Sequence, residues 1–153
     1  MTRRDLAAIY EVVAPVAAIG MKTATRRIGE GDNAARVAAA MQAIRDAVDI
    51  QPRFRFYLVL NEYHYTLNAM AEKPYVDFLL RAINIEYWNR LLAKAIDLDR
   101  HIPGYVRNYE RLTDAVLAGD ERTVEAVMDW HANWCIRLLE EGRQEGLSTI
   151  PSP

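Results

Sequence analysis

The sequence predicts an all-α protein, an antiparallel bundle of about six helices, and three observations carry that prediction. Apolar residues recur at three- and four-residue intervals along most of the chain. Long alternating stretches, which a half-buried strand would need, are missing. The seven glycines and six prolines fall mostly between the periodic segments, where they punctuate helices.

Taken in order, the first helix is expected from about Arg3 to Arg27, kinked at Pro15, because proline removes a backbone donor. Ile28 to Asp32 reads as a turn, with Asp32 or Asn33 capping a second helix whose inward stripe is Val37, Met41, Ile44 and Val48. Gln51-Pro52 breaks the chain before a third helix, Arg53 to Ala71, with Tyr57, Leu60, His64, Leu67 and Ala71 inward. Lys73-Pro74 ends it. A long fourth helix is expected over about Tyr75 to Ile96, with Phe78, Ala82, Ile85, Asn89, Leu92 and Ile96 along one side. His101 to Gly104 reads as the next break, with His101 a surface residue. The fifth helix places Val106, Tyr109, Leu112 and Val116 inward and stops at Ala118-Gly119. Asp120 then caps the sixth, about Glu121 to Gly142, whose stripe is Val124, Val127, Met128, His131, Cys135 and Leu138. Ser148 to Pro153 reads as a loose tail.

A chain of 153 residues with 51% hydrophobic and 26% charged residues suits one domain, residues 1–153, around one core. A net charge of −2 offers no electrostatic footprint for nucleic acid. The lone Cys135 excludes an internal disulfide and fits a reducing cytoplasm. The apolar stretch Ala7 to Met21 contains Glu11, Pro15 and Gly20. It reads as too short and too broken to span a bilayer, so the expectation is a cytoplasmic protein with no membrane partner. No Gly-rich loop follows a strand, and no His-Glu-x-x-His or paired Glu-x-x-His motif occurs. An enzyme is therefore not expected. Cys135 lies one turn after His131, but a mid-stripe thiol is buried and inert.

Three polar side chains interrupt the inward stripes: His64 between Leu60 and Leu67, Tyr109 between Val106 and Leu112, and His131 between Met128 and Cys135. A single inward histidine is most simply a hydrogen-bonded core residue, and Trp88, Trp130 and Trp134 are most simply packing or interface residues. Three such groups on three helices predict a shared polar pocket. Asn61 stands next to this set, and Arg81 on the fourth helix is a candidate for the pocket mouth, where it would pair with a carboxylate.

The run from Tyr109 through Gly119-Asp120 to Met128 and His131 resembles the last two helices of the FCD effector domain, the ligand-sensing half of FadR-type regulators in the GntR family. Asn61-Glu62-Tyr63-His64, followed by Leu67 and Lys73-Pro74, is similar to that domain's Asp-x-x-Phe-His motif and its following Asn-Pro. Asp5-Leu6 leading to Tyr10-Glu11 resembles its opening. The resemblance covers nearly the whole chain in order and spacing. It implies a ligand-sensing and dimerisation domain of a transcriptional regulator, binding a small, often anionic metabolite through His64, Tyr109 and His131. A pocket histidine near its ordinary pKa would make binding of an acid pH-dependent. The implied partners are the effector, a second copy in a homodimer, and DNA only through a winged helix-turn-helix that these residues do not contain. The alternative is a stand-alone helical dimerisation or small-molecule-binding protein.

Many members of that family also hold a divalent metal such as zinc or nickel through an Asp, a His one turn later and two further His. Carried onto this chain, those positions are Leu60, His64, Tyr109 and His131, so two of the four ligand types are replaced. Zinc sites normally use at least three protein ligands, and the expectation is a family-type pocket without a tightly held metal. If any metal binds, His64 and His131 are its candidates. Val13 and Ala17 stand where the family's first helix usually has an Arg and a Glu.

Overall fold

A computed structural model describes residues 3–146, with side chains described for residues 4–141; the expected tail from Ser148 lies outside them. Among the described residues there are seven α-helices and no strand: α1 (Arg3–Arg26), α2 (Asn33–Asp46), α3 (Arg55–Met70), α4 (Pro74–Ala82), α5 (Ile85–Ala95), α6 (Leu98–Leu117) and α7 (Glu121–Gly146). They form a helical bundle. α1 lies mainly along α7 and also touches α3 and α4, while α6 packs on α7 and α2. One apolar cluster runs through it, with Met21, Val37, Ile44, Phe56, Leu67, Leu92, Val116 and Val124 fully enclosed. A smaller cluster of Tyr65, Val76, Leu80 and Ile85, joined by Val13 and Val16, sits where α4 and α5 meet α1 and α3.

The seventh helix arises because the expected long fourth helix is two. α4 stops at Ala82, and Asn84 takes a left-handed conformation at φ 55° before α5 begins. Asparagine tolerates that conformation better than most residues, and its side-chain oxygen accepts from the Tyr87 backbone N–H at 3.4 Å. The elbow changes the helix phase. Phe78 and Ala82, expected inward, are exposed, and Val76 and Leu80 are buried instead. Ile85, Asn89 and Leu92 do face inward.

The break expected at His101 to Gly104 is absent, because α6 runs straight through it from an Asp97 cap whose carboxylate accepts from the Arg100 backbone N–H. Gly104 serves packing rather than termination: a Cβ there would sit 2.7 Å from the Trp134 ring. His101 is half-buried with its ring edge-on to Trp134, centroids 6.2 Å apart, rather than a plain surface residue. At the start of α2 neither expected cap forms with its own helix. Asp32 makes no side-chain cap bond, and the Asn33 amide instead donates to the Arg27 carbonyl at 2.8 Å.

The α6–α7 corner follows the sequence reading. Gly119 is left-handed at φ 70°, its N–H reaches the Val116 carbonyl, and the Asp120 N–H reaches the Ala115 carbonyl, both at 3.0 Å. That pair of bonds is the Schellman motif, which satisfies carbonyls a helix end would otherwise orphan. Asp120 then caps α7 by accepting from the Thr123 N–H at 3.1 Å and its hydroxyl at 2.6 Å.

α1 continues through Pro15 and Gly20 for 24 residues, close to the expected span of Arg3 to Arg27. By length and composition, though not by any bound membrane, Arg4–Arg26 is long and apolar enough to cross a bilayer. Its Leu6, Ala17, Met21 and Ala24 are spent on the bundle core, whereas Val12 and Ile19 face outward.

Candidate functional site

The site begins with helix phase. α3 presents Leu60 and His64 one turn apart, α6 presents Tyr105 and Tyr109 likewise, and α7 presents Met128, His131 and Cys135. These faces, with α1 and α5, surround a cavity of about 70 Å³. One water needs only ~10–15 Å³ of such space, so the hollow admits several. His64, Tyr109, His131 and Asn61 all line it. Arg81 is not among its lining residues: its guanidinium lies over the Tyr65 ring, 4.1 Å from the centroid.

The polar groups are linked. The His64 Nε2 and the Tyr109 hydroxyl are 2.8 Å apart, and the Tyr109 ring packs edge-on against both imidazoles, with centroids 5.7 Å from His64 and 5.4 Å from His131. The Asn108 amide nitrogen stands 3.0 Å from His131 Nδ1. As a donor it makes that nitrogen an acceptor and leaves the proton on Nε2. Nε2 is 3.6 Å from the Cys135 sulfur, the thiol points to the Tyr105 hydroxyl at 3.7 Å, and Tyr105 meets the Tyr57 hydroxyl at 2.8 Å. On the other wall the Tyr10 hydroxyl donates to the Asn89 oxygen at 3.1 Å, and the Asn89 amide donates to the Asn61 oxygen at 3.0 Å.

Burial sets the charge of this constellation. Removal from water disfavours the charged form. It pushes His64 down to about 4, and His131, with the His64 charge as a second cause, down to about 3. The same effect pushes the Cys135 thiol up to about 12 and holds the Tyr10, Tyr57, Tyr105 and Tyr109 phenols well above their ordinary range. The site is therefore neutral at pH 7. The imidazoles do not titrate near their ordinary pKa, contrary to the sequence expectation, and an anion entering the hollow meets no cationic side chain among its lining residues.

Sequence reading missed Tyr57's hydrogen-bonding role and missed Tyr105 entirely. Tyr105 is one turn before Tyr109, a signal hidden by the helix break placed just ahead of it. Asn108 was invisible because it reaches His131 from the flank of α6.

Residues 8–133 match the family model of the FCD domain. The chain belongs to the FCD domain family. That family comprises regulatory ligand-binding domains of GntR-type transcription regulators rather than catalytic domains. No curated protein and no solved structure matches the chain.

The donors that this FCD domain offers do not fit the metal its family often holds. At the first ligand position stands Leu60, a buried hydrocarbon. At the third stands Tyr109, whose phenol keeps its proton and occupies His64 Nε2. Among the described residues no group of three or more His, Cys, Asp or Glu is placed to share an ion. Two imidazoles fall short of the usual three protein ligands.

Proposed function

We propose that this FCD domain, one domain over residues 1–153, senses a small metabolite in the hollow between α3, α6 and α7. Its occupancy would report to a DNA-reading winged helix in a cytoplasmic, homodimeric regulator. The observation that supports this reading is the convergence of His64, Tyr109 and His131 on one cavity whose lining still holds unpartnered polar atoms, among them His64 Nδ1 and the Asn61 amide nitrogen. Leaving such an atom buried and unpaired costs about 1–3 kcal/mol, a cost that a ligand or water removes. A ligand can shift DNA affinity only by the difference between its affinities for the two states of the regulator.

The test is a thermal-shift screen of the chain against a library of small metabolites, repeated with His64→Ala and His131→Ala. A hit should bind each variant at least tenfold more weakly while helical content is unchanged. Normal binding by both variants would put the ligand elsewhere.

A second reading, a helical dimerisation module whose hollow holds only water, is favoured by the exposed Val12 and Ile19 of α1 and Tyr75, Phe78 and Leu79 of α4. It predicts a dimer in sedimentation and no shift by any metabolite.

A further inference from the structure

The lining of the hollow specifies the chemistry of its occupant more narrowly than the family does. No Lys, Arg, Asp or Glu faces it. The candidate cation Arg81 is not among the lining residues, and its guanidinium is engaged over the Tyr65 ring. The position that the resemblance matches to the family's metal-ligating Asp is Leu60, a buried hydrocarbon. An ion taken from water into such a space without a partner is strongly disfavoured, so a carboxylate has nothing here to compensate its desolvation.

The hollow does offer unspent hydrogen-bonding capacity. Three of its lining residues carry a buried side-chain atom without a partner: the Asn61 amide nitrogen, His64 Nδ1 and the Tyr65 hydroxyl. Asn61 can only donate there, since its oxygen already accepts from Asn89. The His64–Tyr109 pair is ambidextrous. If Nε2 carries the proton and donates to Tyr109, then Nδ1 is an acceptor and the phenol proton is free to donate. If the phenol donates to Nε2, then Nδ1–H becomes the free donor and the phenol oxygen accepts. In both tautomers the pair presents one donor and one acceptor beside the fixed donor of Asn61.

Resting on the reading of this hollow as an effector pocket, we propose that its ligand is a small uncharged molecule with an amide-type edge. One carbonyl accepts from the Asn61 amide, and an adjacent N–H or carbonyl engages the His64–Tyr109 pair. The volume of about 70 Å³ is roughly half the ~150 Å³ of a cavity that takes up benzene. The occupant is therefore of a few heavy atoms, or of ring size with some movement of the lining.

The experiment uses matched pairs that differ only in this edge: propionamide against propionate, and benzamide against benzoate. Each is titrated into the chain while the side-chain amide signals of Asn61 and Asn89 and the imidazole signals of His64 and His131 are followed by NMR. At least one amide should shift these signals and saturate, with its acid at least tenfold weaker. Asn61→Asp keeps the acceptor for Asn89 but loses the inward N–H, and it should weaken the amide at least tenfold at unchanged helical content. Acids binding as tightly as amides would overturn the neutral-ligand inference and leave the pocket reading standing. Amide binding unchanged in Asn61→Asp would overturn it too. Silence from both members of both pairs would also overturn it, and the pocket reading would then rest on the metabolite screen alone.

Discussion

At the scale of single residues, the resemblance implies that two side chains at the family's metal-ligand positions are replaced, with coupled effects. Leu60 removes a carboxylate, and Tyr109 replaces an imidazole with a phenol that ties up His64 Nε2 at 2.8 Å. Restoring both should restore the missing chemistry. Leu60→Asp combined with Tyr109→His should take up zinc near one equivalent and gain stability on its addition, about 2.7 kcal/mol at a hundredfold excess over Kd. Metal analysis and a melting curve with and without zinc check it, and a double variant indifferent to zinc would refute the alignment of these positions. His64, Tyr109 and His131 were legible in the sequence because each keeps helical phase with an apolar stripe, and Asn61 only as the neighbour of that set. Arg81, a candidate for the pocket mouth, lies over the Tyr65 ring instead and is not among the lining residues. The neutrality of the imidazoles had no sequence signal at all, since it comes from the enclosure made by α1 and α5.

At the scale of elements, local signals decided most boundaries, and failures had local causes. The Schellman turn at Gly119 and the cap at Asp120 follow from residue types that have few alternatives. The α4–α5 elbow was missed because Asn84 is a weak breaker by composition and its left-handed φ of 55° is a tertiary outcome. Asn84→Ala removes the cap and strains the backbone together, and should destabilise the protein by about 1–2 kcal/mol in urea unfolding. Gly104 gave the opposite error: a glycine taken for a stop is the gap into which the Trp134 ring fits. Gly104→Ala, whose Cβ would stand 2.7 Å from that rigid ring, should cost about 1–3 kcal/mol by overpacking. A stable Gly104→Ala variant would mean that α6 and α7 can separate more readily than their packing implies.

At the scale of the whole molecule, an all-helical bundle was legible because periodicity is summed over many residues, while the volume of the hollow depends on how the helices meet and has no local signature. The same assembly makes stability depend on pH. Both cavity histidines stay neutral in the folded state but take a proton near pH 6.5 once unfolded. The contribution of the histidines is therefore flat above pH 6.5, and stability falls as pH drops from there toward about 4 and about 3. The loss approaches ~1.4 kcal/mol per pH unit for each histidine. Urea midpoints measured between pH 7.5 and 5 should show this fall, and His131→Gln should make it shallower. The division of the interior into a large cluster and the small one of Tyr65, Val76, Leu80 and Ile85 bears on where the protein opens first. α4 is nine residues long and is anchored by Val76 and Leu80 alone among its buried side chains. Its amides should take up deuterium from solvent through local fraying, well before those of α6 do so by global unfolding. Mass spectrometry of peptides spanning 74–82 and 105–117 would rank the two, and the wall of the hollow nearest Leu80 would be the first to admit solvent.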